Sequence, residues 1–103
     1  MAYARGVRCE WDPAKDRANL AKHGLGFAEA SRLFTSGVDY LEIYDADHSV
    51  DEERFIAIGP IRRGLAVVVW VERVQDVVRI ISARWASARE KELFRERMVE
   101  TDS

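Results

Sequence analysis

The chain has 103 residues, 48% of them hydrophobic and 33% charged, with a net charge of −2. This length fits one domain over residues 1–103 with one real core, and the balance excludes a disordered chain. Net acidity excludes attraction of the whole molecule to nucleic acid, so any such binding depends on a local basic patch.

The single cysteine, Cys9, excludes an internal disulfide and a Cys-rich metal site, which favours a reducing compartment and a cytoplasmic location. Cys9 lies in the apolar pattern Val7-Cys9-Trp11 and reads as a small buried hydrophobe. Met1–Glu10 carries no long apolar run, so no secretory signal is expected. The longest apolar run, Leu65–Val71, is too short to span a bilayer.

In chain order, Arg5–Trp11 reads as a short first strand. Asp12-Pro13 then starts a helix, with Asp12 as cap and Pro13 in the first turn. The helix runs to His23 and stops at Gly24. Phe27, Ala30, Leu33 and Phe34 recur at the helical period, predicting a second helix that Gly37 ends. Strands follow over Val38–Tyr44 and Arg54–Gly59, separated by the polar loop Asp45–Glu53. Pro60–Gly64 is a turn. Leu65–Glu72 is the most apolar strand, and Arg73–Asp76 connects it tightly to the last, Val77–Arg84. Short connections make these strands an antiparallel meander. Ser87 and Glu90 form a capping box, opening a helix with Leu93, Phe94 and Met98 on one face. The predicted fold is an α+β domain, order β-α-α-β-β-β-β-α, with helices mainly on one face of a small antiparallel sheet. The other face is then open to a ligand.

Arg79-Ile80-Ile81-Ser82-Ala83-Arg84 is the most informative stretch. Arginine inside a β-branched strand needs water or an anion partner. Two arginines and a serine suit a surface that meets phosphate; an edge strand with arginines paired to carboxylates explains them equally. Strict alternation puts Arg79 and Arg84 on opposite faces, so sharing a site requires a bulge near Ser82 or a twist at the strand end; otherwise Arg84 belongs to a structural pair or a partner interface. His48, among Asp45, Asp47, Glu52, Glu53 and Arg54, is either a general acid or base beside an anion clamp or a loop-capping histidine. Lys22 and His23 at a helix end either complement the helix dipole or bind phosphate. Trp85 either packs at the core edge or stacks on a base. The two histidines lack metal-ligand spacing, and no Gly-rich phosphate loop or nucleophile motif occurs.

These residues also carry a resemblance. Cys9-Glu10-Trp11-Asp12-Pro13-Ala14-Lys15, then Asn19, Lys22-His23-Gly24 and Phe27-Ala28-Glu29-Ala30, resemble the N-terminal signature of BrnT-type toxins. Asp47-His48-Ser49 with Glu53-Arg54-Phe55 resembles that family's central motif. Arg79–Arg84 with Ala86 and Arg89-Glu90 resembles its C-terminal signature. The likeness covers about residues 8–97. The chain departs from the family pattern in having Val74-Gln75-Asp76 where Gly-Asp is usual, and Phe94 where an aromatic hydroxyl is frequent.

The resemblance implies a metal-free ribonuclease toxin of a type II toxin–antitoxin pair with a RelE-like fold and no cofactor. It implies a BrnA-like antitoxin that covers the toxin and carries a DNA-binding domain, so that the complex binds promoter DNA. Metal-free RNA cleavage uses the ribose 2′-OH as nucleophile and needs an acid, a base and cations for the phosphorane. His48 is the expected acid or base, and Glu53 orients an arginine or takes a proton. Arg54, Arg79 and Arg84 clamp phosphate, with Ser82 beside them and Lys22 or His23 as helpers. Two other readings compete: a non-catalytic module that docks a DNA-binding partner, and a small metal-dependent nuclease using Asp45, Asp47 and His48.

Overall fold

Asp12 starts the first helix as its chemistry requires. Its carboxylate accepts the Ala14 N–H at 2.9 Å, Pro13 opens the first turn, and Gly24 closes the helix at φ 71° by donating to Leu20 O. A computed structural model describes residues 7–99. Its elements are β1 (Arg8–Glu10), α1 (Pro13–His23), α2 (Phe27–Ala30), α3 (Arg32–Thr35), β2 (Leu41–Tyr44), a 3₁₀ turn (Ala46–His48), β3 (Phe55–Ile61), β4 (Gly64–Val74), β5 (Val77–Trp85) and α4 (Ala88–Phe94). A π-helical turn, Arg95–Val99, continues α4.

The α+β expectation holds, with local differences. Trp11 lies beyond β1, and Arg5 and Gly6 fall outside the described residues. The expected second helix is two short ones, because the Ser31 hydroxyl donates to Ala28 O and the chain turns there. β2 begins at Leu41 because the preceding Tyr40 folds over Gly59. A Cβ on Gly59 would lie 2.6 Å from Leu33 Cδ1 and 2.7 Å from Tyr40 Cβ. This close approach lets α3 sit on β3. Pro60 stays in β3, and Gln75-Asp76 forms a two-residue turn with Asp76 at φ 65°.

The sheet order is β1-β5-β4-β3-β2. β3 to β5 form the expected antiparallel meander, β2 pairs antiparallel with β3, and β1 adds a parallel edge beside β5. Helices α1 to α3 cover one face. The main core lies there, built from Leu25, Phe27, Leu33, Phe34, Trp70 and Ile80. Trp70 is its aromatic hub, stacked on Phe55 at 5.1 Å and edge-on to Phe34 at 5.4 Å. Cys9 packs against this core, and burial pushes its thiol up to about 11.

Two devices hold β5 in phase. Val69 pairs with Ser82 and Trp70 with Ile80, so Ile81 is an extra residue, a β-bulge. The bulge keeps Val78, Ile80, Ala83 and Trp85 on the helix face and places Arg79, Ser82 and Arg84 on the other. β1 ends opposite Arg79, leaving the second half of β5 an open edge. Asn19 of α1, 8% exposed, covers it. Its amide donates to Ala83 O at 2.6 Å and Leu25 O at 2.8 Å, and accepts from Ala83 N–H at 3.2 Å. One side chain thus takes the place of a missing strand.

Helix α4 packs on the second face, which is therefore open only in part. Ser87 and Glu90 form the expected capping box. Glu90 also takes both terminal nitrogens of Arg84 at 2.7 Å. The Arg84 guanidinium holds the Glu90 carboxyl well below its usual range, down from 4.5 to about 2.

Replacing Asn19 with Ala leaves the buried Ala83 N–H and C=O unpaired, and urea denaturation should register a loss of roughly 2–4 kcal/mol. The Arg84–Glu90 pair contributes stability above the unfolded carboxyl's 4.5, and the contribution disappears as pH falls from there through about 2. Glu90→Gln should cost about 1–2 kcal/mol at pH 7, a value lowered by the exposure of Arg84. It should also flatten the pH dependence of thermal unfolding across that window.

Candidate active site

One row of side chains crosses the sheet on the face away from α1 to α3. Glu10 of β1 lies beside Arg79 of β5, and Arg79 lies beside Val71 of β4. Continuing the β3–β4 register one step past Phe55–Trp70 sets Arg54 against Val71. The ladder then continues through Asp45 N–H, which donates to Arg54 O at 2.9 Å. The row is Glu10, Arg79, Val71, Arg54, Asp45. With strands ~4.8 Å apart, the Cα atoms of Arg54 and Arg79 are about 10 Å apart on either side of Val71. Val71 is 1% exposed and forms an apolar floor between two cations.

The loop after β2 adds His48 to the end of this row. Asp45 oxygens lie 3.0 and 3.1 Å from His48 Nδ1. The Ser49 hydroxyl donates to Asp45 O at 2.6 Å and accepts the Arg54 N–H at 2.9 Å, so it bolts the loop shut beneath the histidine. Arg79 donates to Glu10 at 3.1 Å. Arg54 Nε is shielded from solvent and has no hydrogen-bond partner among the described residues. A guanidinium in that state offers a donor to an incoming anion.

The expected site residues separate into two groups. Arg54 and Arg79 lie on either side of Val71, and His48 is tethered to Asp45 at the end of the row. Glu53 is exposed in the loop next to Arg54, with no side-chain partner among the described residues. Ser82 and Arg84 share the face because of the bulge, but Arg84 lies four strand steps, ~13 Å, beyond Arg79. Its guanidinium is engaged by Glu90.

Lys22 and His23 do not join the site. They end α1 in the layer on the opposite face, where Arg63 of the β3–β4 turn donates to the neighbouring Gly24 O at 3.0 Å. Cations there complement the helix C-terminus. Trp85 is an edge-of-core residue whose ring carries the Arg63 guanidinium at 5.1 Å. Among the described residues, no three His, Cys, Asp or Glu side chains converge as a metal site would require.

Sequence reasoning missed one participant, Glu10, and named Asp45 only as one of several carboxylates near His48. Glu10 could not be seen because parallel pairing of β1 with β5 joins residues 69 positions apart. Asp45 had a local signal, since it precedes His48 by three residues, the reach of a single turn.

The comparisons bear on the family and the fold. The crystal structure of the ribonuclease toxin BrnT from Brucella abortus is similar, with a TM-score of 0.60 and 29% sequence identity. The match covers 79% of this chain and 97% of that one. No curated protein gives a significant sequence match. The family model for the ribonuclease toxin BrnT of type II toxin–antitoxin systems matches residues 11–90. With the three motifs, the fold and most of the chain's length in agreement, the chain belongs to the BrnT family of ribonuclease toxins.

Proposed function

We propose that this chain is a cytoplasmic endoribonuclease that cleaves RNA without a metal, through the ribose 2′-hydroxyl, and is neutralised by a cognate antitoxin. The observation that carries this reading is the row itself: two guanidinium groups flank Val71, and an imidazole is tethered at the same end of the sheet. A phosphodiester over Val71 meets Arg54 from one side and Arg79 from the other. The unpartnered Arg54 Nε donates to a non-bridging oxygen, and Arg79 turns from Glu10 toward the phosphate.

The chemistry balances with two proton carriers. Glu53 takes the proton of the 2′-hydroxyl as the O2′–P bond forms. The P–O5′ bond breaks, and the 5′-oxygen takes a proton from His48 Nε2. The products are a 2′,3′-cyclic phosphate and a 5′-hydroxyl. The two arginines balance the charge that builds on the phosphorane, the role a metal ion fills in other nucleases. Arg84 acts at a distance by docking α4, and Ser82 lies between it and the site.

The family places the chain in type II toxin–antitoxin systems, in which an antitoxin is the partner. A BrnA-like antitoxin that covers the arginine row prevents RNA entry, and its DNA-binding domain carries the complex to promoter DNA. A docking module without catalysis would not need a cationic pair around an apolar floor.

Expression of the wild-type chain should arrest growth, and co-expression of the antitoxin should restore it. Purified toxin should cleave RNA equally well with and without EDTA. His48→Ala, Arg54→Ala and Arg79→Ala should each lower cleavage by about 10²–10⁴-fold. Lys22→Ala and His23→Ala should stay near wild type. Full activity in all three site variants overturns the assignment of these residues, and intact RNA with wild-type protein leaves the docking module as the better account.

A further inference from the structure

The imidazole of His48 is 69% exposed, so packing does not fix its direction. Its ring is held by one neighbour among the described residues, the Asp45 carboxylate, at Nδ1. Asp45 is itself firmly placed. Its side chain is 14% exposed, its N–H extends the ladder to Arg54 O, and its carbonyl accepts from the Ser49 hydroxyl and from His48 N–H. The arrangement is a rigid carboxylate carrying a mobile ring.

An ionised carboxylate only accepts hydrogen bonds. The nitrogen 3.0 Å from it therefore bears the hydrogen. In the neutral ring this puts the lone pair on Nε2, the nitrogen facing away from Asp45. In the charged ring it puts the transferable proton there. We propose that Asp45 is a positioning residue that fixes the His48 tautomer and makes Nε2 the working nitrogen. The inference rests on the assignment of His48 as the proton carrier, and adds to it a residue that never touches RNA.

The same geometry explains why Ser49 directly follows the histidine. Its hydroxyl ties the Asp45 carbonyl to the Arg54 N–H, so the tether of the imidazole and one phosphate clamp are fixed to each other. A shift of Asp45 moves both. Charge alone at position 45 is then insufficient; reach also matters. Glutamate, one methylene longer, displaces the ring from the arginine row.

The test uses the full chain and its Asp45→Asn, Asp45→Glu and His48→Ala variants. RNA cleavage is read as separate kcat and KM, and the imidazole tautomer is read by ¹⁵N NMR, with His48→Ala identifying the signal against that of His23. Asp45→Asn should lower kcat about 10- to 100-fold with KM nearly unchanged, and should move the neutral ring away from the Nδ1–H form. Asp45→Glu should fall between wild type and Asp45→Asn. Wild-type kcat in Asp45→Asn, with His48→Ala inactive, overturns the positioning role and leaves the histidine's role standing. Activity in His48→Ala overturns the underlying assignment instead. If Asp45→Asn fails to fold, the wild-type spectrum decides: a neutral His48 carrying its hydrogen on Nε2 overturns the proposal.

Discussion

A single surplus residue in β5, Ile81, keeps arginine out of the core. Without it, the alternation of a regular strand would turn Arg84 toward the helices whenever Arg79 faced away from them. Burying an unpaired guanidinium costs far more than a marginally stable domain of this size can tolerate. The bulge removes that conflict but disturbs the β4–β5 ladder, and on the other side of β5 the short β1 leaves the strand edge beyond Arg79 uncovered. Asn19 answers the second problem by giving Ala83 a donor and an acceptor from α1. The phase of β5, the seat of α1 and the face on which the cations gather are one arrangement.

The electrostatics of the molecule follow from that separation. The chain is acidic overall, yet its sheet presents two arginines to one side, between carboxylates at the two ends of the row. Two arginines outside the row are tied down. Arg63 is held by Glu29 and the Trp85 ring, and Arg84 by Glu90. Arg54 differs from them, with a shielded Nε that no group among the described residues satisfies. A group left in that condition marks where a ligand completes the hydrogen bonding.

The local signals in the sequence were reliable. Asp12-Pro13, Gly24, Ser87–Glu90 and the meander of β-branched runs behave as their chemistry dictates. A bulge near Ser82 was one of two readable ways for Arg79 and Arg84 to share a face, a twist at the strand end being the other, and the bulge is the one present. What the sequence could not disclose were long-range pairings. The parallel contact of β1 with β5, which brings Glu10 to Arg79, depends on how helices and sheet pack rather than on any local pattern. Lys22-His23 illustrates the converse. The motif is conspicuous in the chain, but the turn at Gly24 sends it to the far layer, away from the arginine row.

The packing of Cys9, from β1 against the core, has a consequence for handling and for physiology. A thiol whose ionisation is displaced to about 11 has, at neutral pH, only about one molecule in ten thousand in the nucleophilic form. Oxidants and alkylating reagents therefore find little to attack. The protein should stay free of intermolecular disulfides on storage in air, and oxidative stress in the cell should not switch it through this sulfur.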